Sequence, residues 1–415
     1  MEKKETRTVT LSKTKHFDIM VIGFVAAVAI AAVLITLNAF GIFTDATGYI
    51  NLDLEVYKEV KFSHDLNGSI YLSGNAMKVN SAKKKASSFF SSTYREIYMM
   101  TDSYIDYSPY FSSIKTINSS LGEDVKIDSR LYIILKDAYE KSDVVNSNYS
   151  IFAAPLFDEW NDLLYSGSLG NVDTDPLIDN DELSYIQTLV SYIHDTSSYS
   201  LEFKEDNVVQ LNISNAYKSF REEYEITSPI ISLNALETAY QIQYVATRME
   251  EEGYSNFYIS DDYGNGMTAK DFGSLNHNLY DIQDGSVHLF GHINRNGKYV
   301  FSAMHHFLTN PSTVNDFYDI TKNERIYHRS SYLNLETGLP NDSYLSTNLF
   351  SNELDLPSLV LENNKLIITD DSYLAEKKND YMFLLVQNNL NKRITVNSLF
   401  NSFEIYKNDY IFDTI

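Results

Sequence analysis

An α+β ectodomain standing behind one N-terminal membrane helix is what this 415-residue sequence predicts, and three observations predict it. From Ile19 to Phe43 the chain carries no charged residue, which at 1.5 Å per helical residue is long enough to cross a hydrocarbon core of about 30 Å. Beyond that run, apolar residues at helical spacing alternate with strand-like runs of period two, so helices and strands are interspersed. The third observation is composition. With 44% hydrophobic residues the chain has the makings of a large core, and fibrous or wholly disordered classes are excluded.

Charge and cysteine narrow the classes further. Thirty-three basic against 56 acidic residues leave a net charge of -23, opposite to the clustered Lys and Arg that phosphate binding needs, which argues against nucleic-acid partners. The absence of cysteine removes disulfides, thiolate metal sites, a Cys nucleophile and the lipid-bearing cysteine of a lipoprotein. Membrane attachment is therefore by polypeptide. A cleaved signal peptide would have a shorter apolar region and a small-residue cleavage site, so the run Ile19–Phe43 is expected to stay as an anchor. Residues 1–16 hold five basic and two acidic residues, while the rest holds 28 basic and 54 acidic. By the positive-inside rule, the N-terminus is expected in the cytoplasm and the remainder outside the cell membrane, in a single-pass protein. The expected organisation is a basic tail over 1–18, a transmembrane helix over 19–43, a stalk merging into a first strand over 44–66, and an extracytoplasmic domain over 67–415.

Within that domain, Ala82, Ala86, Phe89, Phe90, Ile97 and Met100 predict a helix over Ala76–Met100 with Lys83, Lys84 and Lys85 on its outer face. Asp128 or Ser129 caps a second helix over 129–143, another covers 181–195, and a longer one runs from Asn234 to Glu252 and stops at Gly253. Strands are predicted at SVHLFGHI, KYVFSAM, KLIIT and YMFLLVQ. The acidic stretch Asp173–Glu182 reads as an exposed insertion.

Chemistry-bearing residues are sparse. His288 and His292 have the spacing of a helical zinc pair, but their segment alternates like a strand, which would set them about 13 Å apart. His305 and His306 are neighbours and face opposite ways in a strand. The acids of 173–182 lack the turn glycine and distal Glu of a calcium loop. No nucleophile elbow, P-loop or dinucleotide glycine fingerprint is present.

The order of several segments resembles the ApbE family, the FAD:protein FMN transferases, across about residues 68–412. Asp102 followed by Ser112–Asn118 is similar to that family's helix, Asp and S-E-[IL]-x-x-[LI]-N segment. Pro155, Leu156 and Trp160 match the end of its T-G-x-F-D-x-T-x-x-P-L-x-x-x-W motif. Ser232–Asn256 resembles its D-L-G-G-[IV]-A-K-G-Y segment, with Tyr240, Gly253 and Asn256 in place, and Tyr263-Gly264-Asn265 resembles its G-G-[ND] turn. Thr337-Gly338 with Pro340 keeps the end of H-H-I-[IL]-D-P-x-T-G-x-P, and Asp355 matches the magnesium-binding Asp of A-D-x-x-S-T. The resemblance implies a layered T-fold-type α+β domain that handles FAD with magnesium. It implies cofactor contacts at Tyr240, Asn234, Thr238, Gly264, Thr337 and Gly338, and a metal ligand at Asp355. His328 and Asn334 are the residues it leaves for catalysis, His328 only in a slipped register.

Departures from the pattern carry as much information. The family's glycine-rich turn and lysine read Asn234, Ala235, Thr238 and Ala239, and its helix-start Asp reads Gln243. Its F-D-x-T Asp and Thr are Ser150 and Phe152, its T-S-G-D-Y segment reads Ser302-Ala303-Met304-His305-His306, and H-H-x-x-D-P reads Ser330, Ser331, Asn334 and Leu335. Phosphoryl chemistry needs cations on the developing charge and a placed nucleophile. The expectation is therefore a degenerate pseudoenzyme that binds flavin or a surface redox partner. An active transferase attaching FMN to a Thr of a surface flavoprotein, using His328 and Asp355, is the alternative. A further alternative is an unrelated sensory or adhesion ectodomain.

Overall fold

The structure is a computed structural model that describes residues 15–39, 41, 44–62, 66–107, 110–165, 174–262, 264–283, 286–305, 318–341, 343–369, 371–387, 393–397, 399, 403–406 and 410–415. The chain divides into two compact units, residues 1–50 with 71–86 and residues 51–70 with 87–415.

The first unit contains the helix Lys15–Ala39, 25 residues rich in Ala, Val, Ile and Leu and free of proline. Its side chains are described from Phe24 onward. Its described side chains, residues 24–38, make too short a run to cross a membrane by themselves, and no other helix among the described residues is long and apolar enough to do so. Beyond this helix, Asp45 bridges to Asn75, and its carboxylate accepts from the backbone and hydroxyl of Thr47 at 3.0 and 2.7 Å. Thr47 Oγ1 in turn accepts from Gly74 N at 3.0 Å. Lys84 and Lys85 are exposed on the helix Ala76–Thr101.

In the second unit the remainder of that helix buries Phe90, Tyr94 and Ile97 at intervals of three to four residues. Ser87 and Ser91 accept from the backbone of Asp53 and Glu55 at 3.0 and 2.9 Å. The stretch expected as stalk thus includes the strand Gly48–Leu52 and buries Leu52, Val60 and Leu66.

A nine-stranded sheet forms the centre, in the order Gly48–Leu52, Asn67–Leu72, Phe257–Ser260, Gly266–Thr268, Val300–His305, Tyr344–Ser351, Met382–Gln387, Arg393–Val396 and Ile411–Thr414. The last pair is parallel, and the neighbours from Asn67–Leu72 to Arg393–Val396 pair antiparallel. Strand Tyr344–Ser351 is buried at every position because both sheet faces are covered there. On one side lies a three-stranded sheet of Ser274–Gln283, Ser286–Asn296 and Phe403–Ile405. Its Leu279, Phe290 and Ile293 join Tyr299, Phe301, Phe350, Leu384 and Ile394 in one apolar cluster. The helices Glu237–Glu251 and Leu356–Lys365 pack on each other and on the strands of the central sheet. A separate three-stranded sheet is built from Asp124–Lys126, Val208–Ile213 and Tyr199–Lys204.

Helices at Ser129–Glu140, with Asp128 capping through Arg130 N, at Asn180–His194 and at Glu237–Glu251 stand where the periodicity predicts them. So do strands over SVHLFGHI, KYVFSAM and YMFLLVQ. Two expectations are corrected. KLIIT is not a strand: Lys365 ends a helix, and Leu366, Ile367 and Ile368 continue as hydrogen-bonded turns that bury Leu366 and Ile367. A short apolar run fits either geometry, and here burial is met by the helix's own last turns. The acidic stretch, of which Asp173 lies outside the described residues, is solvated only in part: Thr174, Ile178, Asn180 and Asp181 are exposed, but Asp175 and Pro176 are buried. Asp175 is fully buried against Arg329, with Nε–Oδ2 and Nη2–Oδ1 distances of 3.0 and 3.1 Å, and it also accepts from Tyr318 OH at 2.8 Å. Asp179 caps the following helix through Asp181 N and Glu182 N.

Candidate functional site

Where the chain enters the helix Glu237–Glu251, Asn234 stands at φ 48°, a left-handed conformation that its short amide tolerates. Its Nδ2 donates to Ser150 O at 2.7 Å, and its backbone N donates to Ser232 Oγ at 3.2 Å. One turn on, Thr238 Oγ1 donates to Asp261 Oδ2 at 2.7 Å. The Asp261 carboxylate also accepts from Gly264 N, Asn265 N and Asn265 Nδ2 at 2.9, 2.8 and 3.0 Å. Burial nevertheless pushes its carboxyl above the ordinary range, outweighing the hydrogen bonds that hold it down. The chain of bonds continues through Ser302 Oγ to Asn265 Oδ1 at 2.8 Å and Asn363 Nδ2 to Ser302 Oγ at 3.0 Å, then Thr347 Oγ1 to Asn363 Oδ1 at 2.6 Å. Helices and strands are thereby tied together through satisfied buried polar groups.

Above this network opens a cavity of about 650 Å³ whose lining includes Asn234, Thr238, Asn265, Ser302 and Ala303. Asp102, Asp158 and Glu237 also line it, as do Lys61 and Ser103. Asp102 Oδ1 accepts from Tyr104 N and Ile105 N at 2.7 and 3.0 Å, and Oδ2 from Tyr107 OH at 3.1 Å. Tyr104 OH donates to Asp158, whose carboxyl is raised chiefly by burial. Burial first, and the Asp102 carboxylate second, push the Glu237 carboxyl up to about 8. The arrangement is an acid-lined, partly apolar chamber set on a rigid polar floor.

Of the residues that the family resemblance offers as cofactor contacts, the structure brings Asn234 and Thr238 to this cavity. Gly264 lies just outside, against lining residue Ala303. A Cβ there would sit 2.9 Å from Ala303 Cβ, and φ is +108°, so both space and backbone call for glycine. Tyr240 points elsewhere, its hydroxyl donating to Asp137 Oδ2 at 2.6 Å. Asn334, Thr337 and Gly338 form a turn: Thr337 N and Gly338 N donate to Asn334 O, and Glu336 N donates to Asn334 Oδ1 at 2.8 Å. Gly338 presses on Ile186 and Val190, and its carbonyl accepts from Trp160 Nε1 at 2.7 Å. Asp355 caps the helix Leu356–Lys365 by accepting from Ser358 N at 2.8 Å, and Gln243 Oε1 accepts from Leu356 N at 3.2 Å. His328 is on the strand Arg325–Arg329, opposite Asp319; its side chain lies outside the described residues. Ser150 and Phe152 hold local structure, Ser150 Oγ accepting from Phe152 N and Phe152 stacking on Tyr199.

The donors present do not suit magnesium. Asp355 is engaged as a helix cap, and among the described residues no three His, Asp or Glu side chains are grouped to hold a metal ion. Nor do they suit a pyrophosphate, since among the described residues three carboxyls and one lysine line the cavity. Sequence reasoning quoted Asp102 and Thr238 but passed over their neighbours Ser103 and Glu237, and it missed Lys61 and Asp158, which converge on them from segments far apart in the chain.

No family model matches the chain, and no curated protein matches it in sequence. Solved structures do. The ApbE protein of Thermotoga maritima is 13% identical with a TM-score of 0.53, over 82% of this chain and 94% of its own. The flavin transferase ApbE of Vibrio cholerae is 9% identical with a TM-score of 0.56, over 86% and 98%. The flavinyl transferase ApbE of Pseudomonas stutzeri, in its apo form, is 9% identical with a TM-score of 0.51, over 83% and 92%. An architecture shared over nearly the whole of those chains sets aside the reading of an unrelated fold: this chain has a divergent ApbE-like fold.

Proposed function

We propose that the chain is a membrane-anchored, extracytoplasmic protein that keeps the ApbE-like fold as a binding module and has lost flavin transfer. One observation carries the reading. The positions that the resemblance assigns to metal and phosphates are uncharged or already committed to the protein's own backbone, as with Asn234 on Ser150 O and Asp355 on Ser358 N. A carboxylate that caps a helix and a threonine, Thr238, in place of the family's lysine supply little of the cationic environment that phosphoryl transfer needs. A surface flavoprotein or redox protein is the partner this reading expects, because the structural neighbours are named as flavin transferases.

Support for the anchor comes from the helix Lys15–Ala39. At 25 residues it is about 37 Å long, and Phe24, Val25, Ile30, Val33 and Ile35 are all more than half exposed. A helix apolar on every side is at home in lipid rather than water.

The test uses the full chain in detergent micelles with FAD and magnesium. No release of AMP above the buffer rate is expected. Steady turnover that disappears in Asp355→Ala would overturn the loss of transfer and restore the active transferase.

A further inference from the structure

The cavity described above has a lining unlike that of a phosphate site. Among the described residues its charged side chains are Asp102, Asp158 and Glu237 against Lys61, three acids to one base. The donors that satisfy these carboxyls are neutral: backbone N–H groups and Tyr107 OH on Asp102, Tyr104 OH on Asp158, and Gln241 Nε2 on Glu237. Their hydrogen bonds orient the acids without supplying a counter-charge; Glu237, raised to about 8, is largely protonated near pH 7 and ionises when a cation is brought against it.

Two further observations point to a ligand. Ser103 Oγ lines the same space, the residue is 1% exposed, and the hydroxyl has no hydrogen-bond partner among the described residues. A desolvated hydroxyl left unpaired is unfavourable, and a bound polar group relieves it. The same cavity is lined by Phe62, Tyr98, Tyr104, Phe157 and Tyr332, side chains whose rings attract a cation and cover an apolar body. A volume of about 650 Å³ falls in the range of small-molecule sites.

We infer that this cavity binds a small organic cation, an amine or quaternary ammonium carrying an aromatic or aliphatic body, in preference to a phosphate ester. The inference rests on the reading that the cleft no longer handles a dinucleotide. Asp158 and Glu237 face the cationic head, the aromatic side chains cover the body, and Ser103 Oγ meets a polar substituent.

Titration calorimetry on the full chain in detergent tests it, with benzyltrimethylammonium as the cation, benzyl alcohol as its neutral counterpart, and FAD without magnesium. Saturable binding of the cation is expected, at least tenfold tighter than that of benzyl alcohol or FAD. Asp158→Asn or Glu237→Gln should weaken it tenfold or more. Absence of cation binding, equal or tighter binding of either comparison compound, or unchanged affinity in folded variants overturns the inference. If the variants do not fold, the comparison of the three compounds on the unaltered chain decides alone. A chain that neither turns over FAD nor binds the cation overturns this inference and leaves the proposed loss of transfer standing, whereas magnesium-dependent turnover overturns the latter.

Discussion

His277 lies against Phe301 and Phe350, with ring centroids 4.2 and 5.1 Å away, and its Nε2 is 2.9 Å from Tyr299 OH. Burial, and then the Arg295 cation, push its imidazole down to about 3, while an unfolded chain titrates the same ring near 6.5. Below about pH 6.5 the unfolded state therefore binds a proton that the native state refuses. Stability from this residue is complete above that pH and falls as pH drops toward 3. Between pH 6.5 and 5 the Glu237 carboxyl, raised to about 8, acts in the opposite direction, so His277→Phe should shift the slope of melting temperature against pH, followed by circular dichroism, toward greater stability on acidification; an unchanged slope would remove His277 as a contributor. The Asp175–Arg329 pair is a different case, since both side chains are almost wholly buried. Asp175→Asn leaves a guanidinium without its counter-charge and should cost about 3–5 kcal/mol in denaturant unfolding. Adding Arg329→Met should recover part of that loss, and a double variant no better than the single one would mean that the two groups are not coupled.

At the scale of elements, Asp355 is a helix cap, and its loss should read as one. Asp355→Ala is expected to lower stability by about 1 kcal/mol, by the same amount with and without millimolar magnesium; a deficit confined to the magnesium series would make Asp355 a metal ligand instead. Elements with strong periodicity and a cap, such as Ser129–Glu140 behind Asp128, were legible in the sequence because local chemistry and burial agree there. The strand Tyr344–Ser351 was not. Ser346, Thr347 and Asn348 interrupt any apolar alternation, yet they are buried, and Thr347 is satisfied by Asn363. KLIIT failed for the opposite reason, an apolar run too short to carry a period. Within the acidic stretch Asp175 was misread because its partner, Arg329, lies 154 residues away. The candidate site shares that difficulty. Asn234 and Thr238 were reached through a resemblance of motif, but nothing local marks Asp158, which Tyr104 joins across 54 residues, as a neighbour of the same cavity.

Over the whole molecule, charge is distributed with a direction. Residues 1–16 carry five basic and two acidic side chains, and the remainder carries 28 and 54. Basic flanks are retained on the cytoplasmic side of a membrane helix, whereas acidic ones contribute little to orientation. The topology proposed here therefore depends on the short basic tail, with the apolar helix behind it acting as a stop. The chain contains no cysteine, so a single introduced thiol reports its own compartment without interference. Val56 is 98% exposed, and a thiol there is open to reagents in solution. In intact cells, Val56→Cys should react with a membrane-impermeant maleimide, while Ser12→Cys should react only after lysis. The reverse pattern would place the acidic domain inside the cell, and labelling of both sites without lysis would mean that the apolar helix does not separate the two compartments.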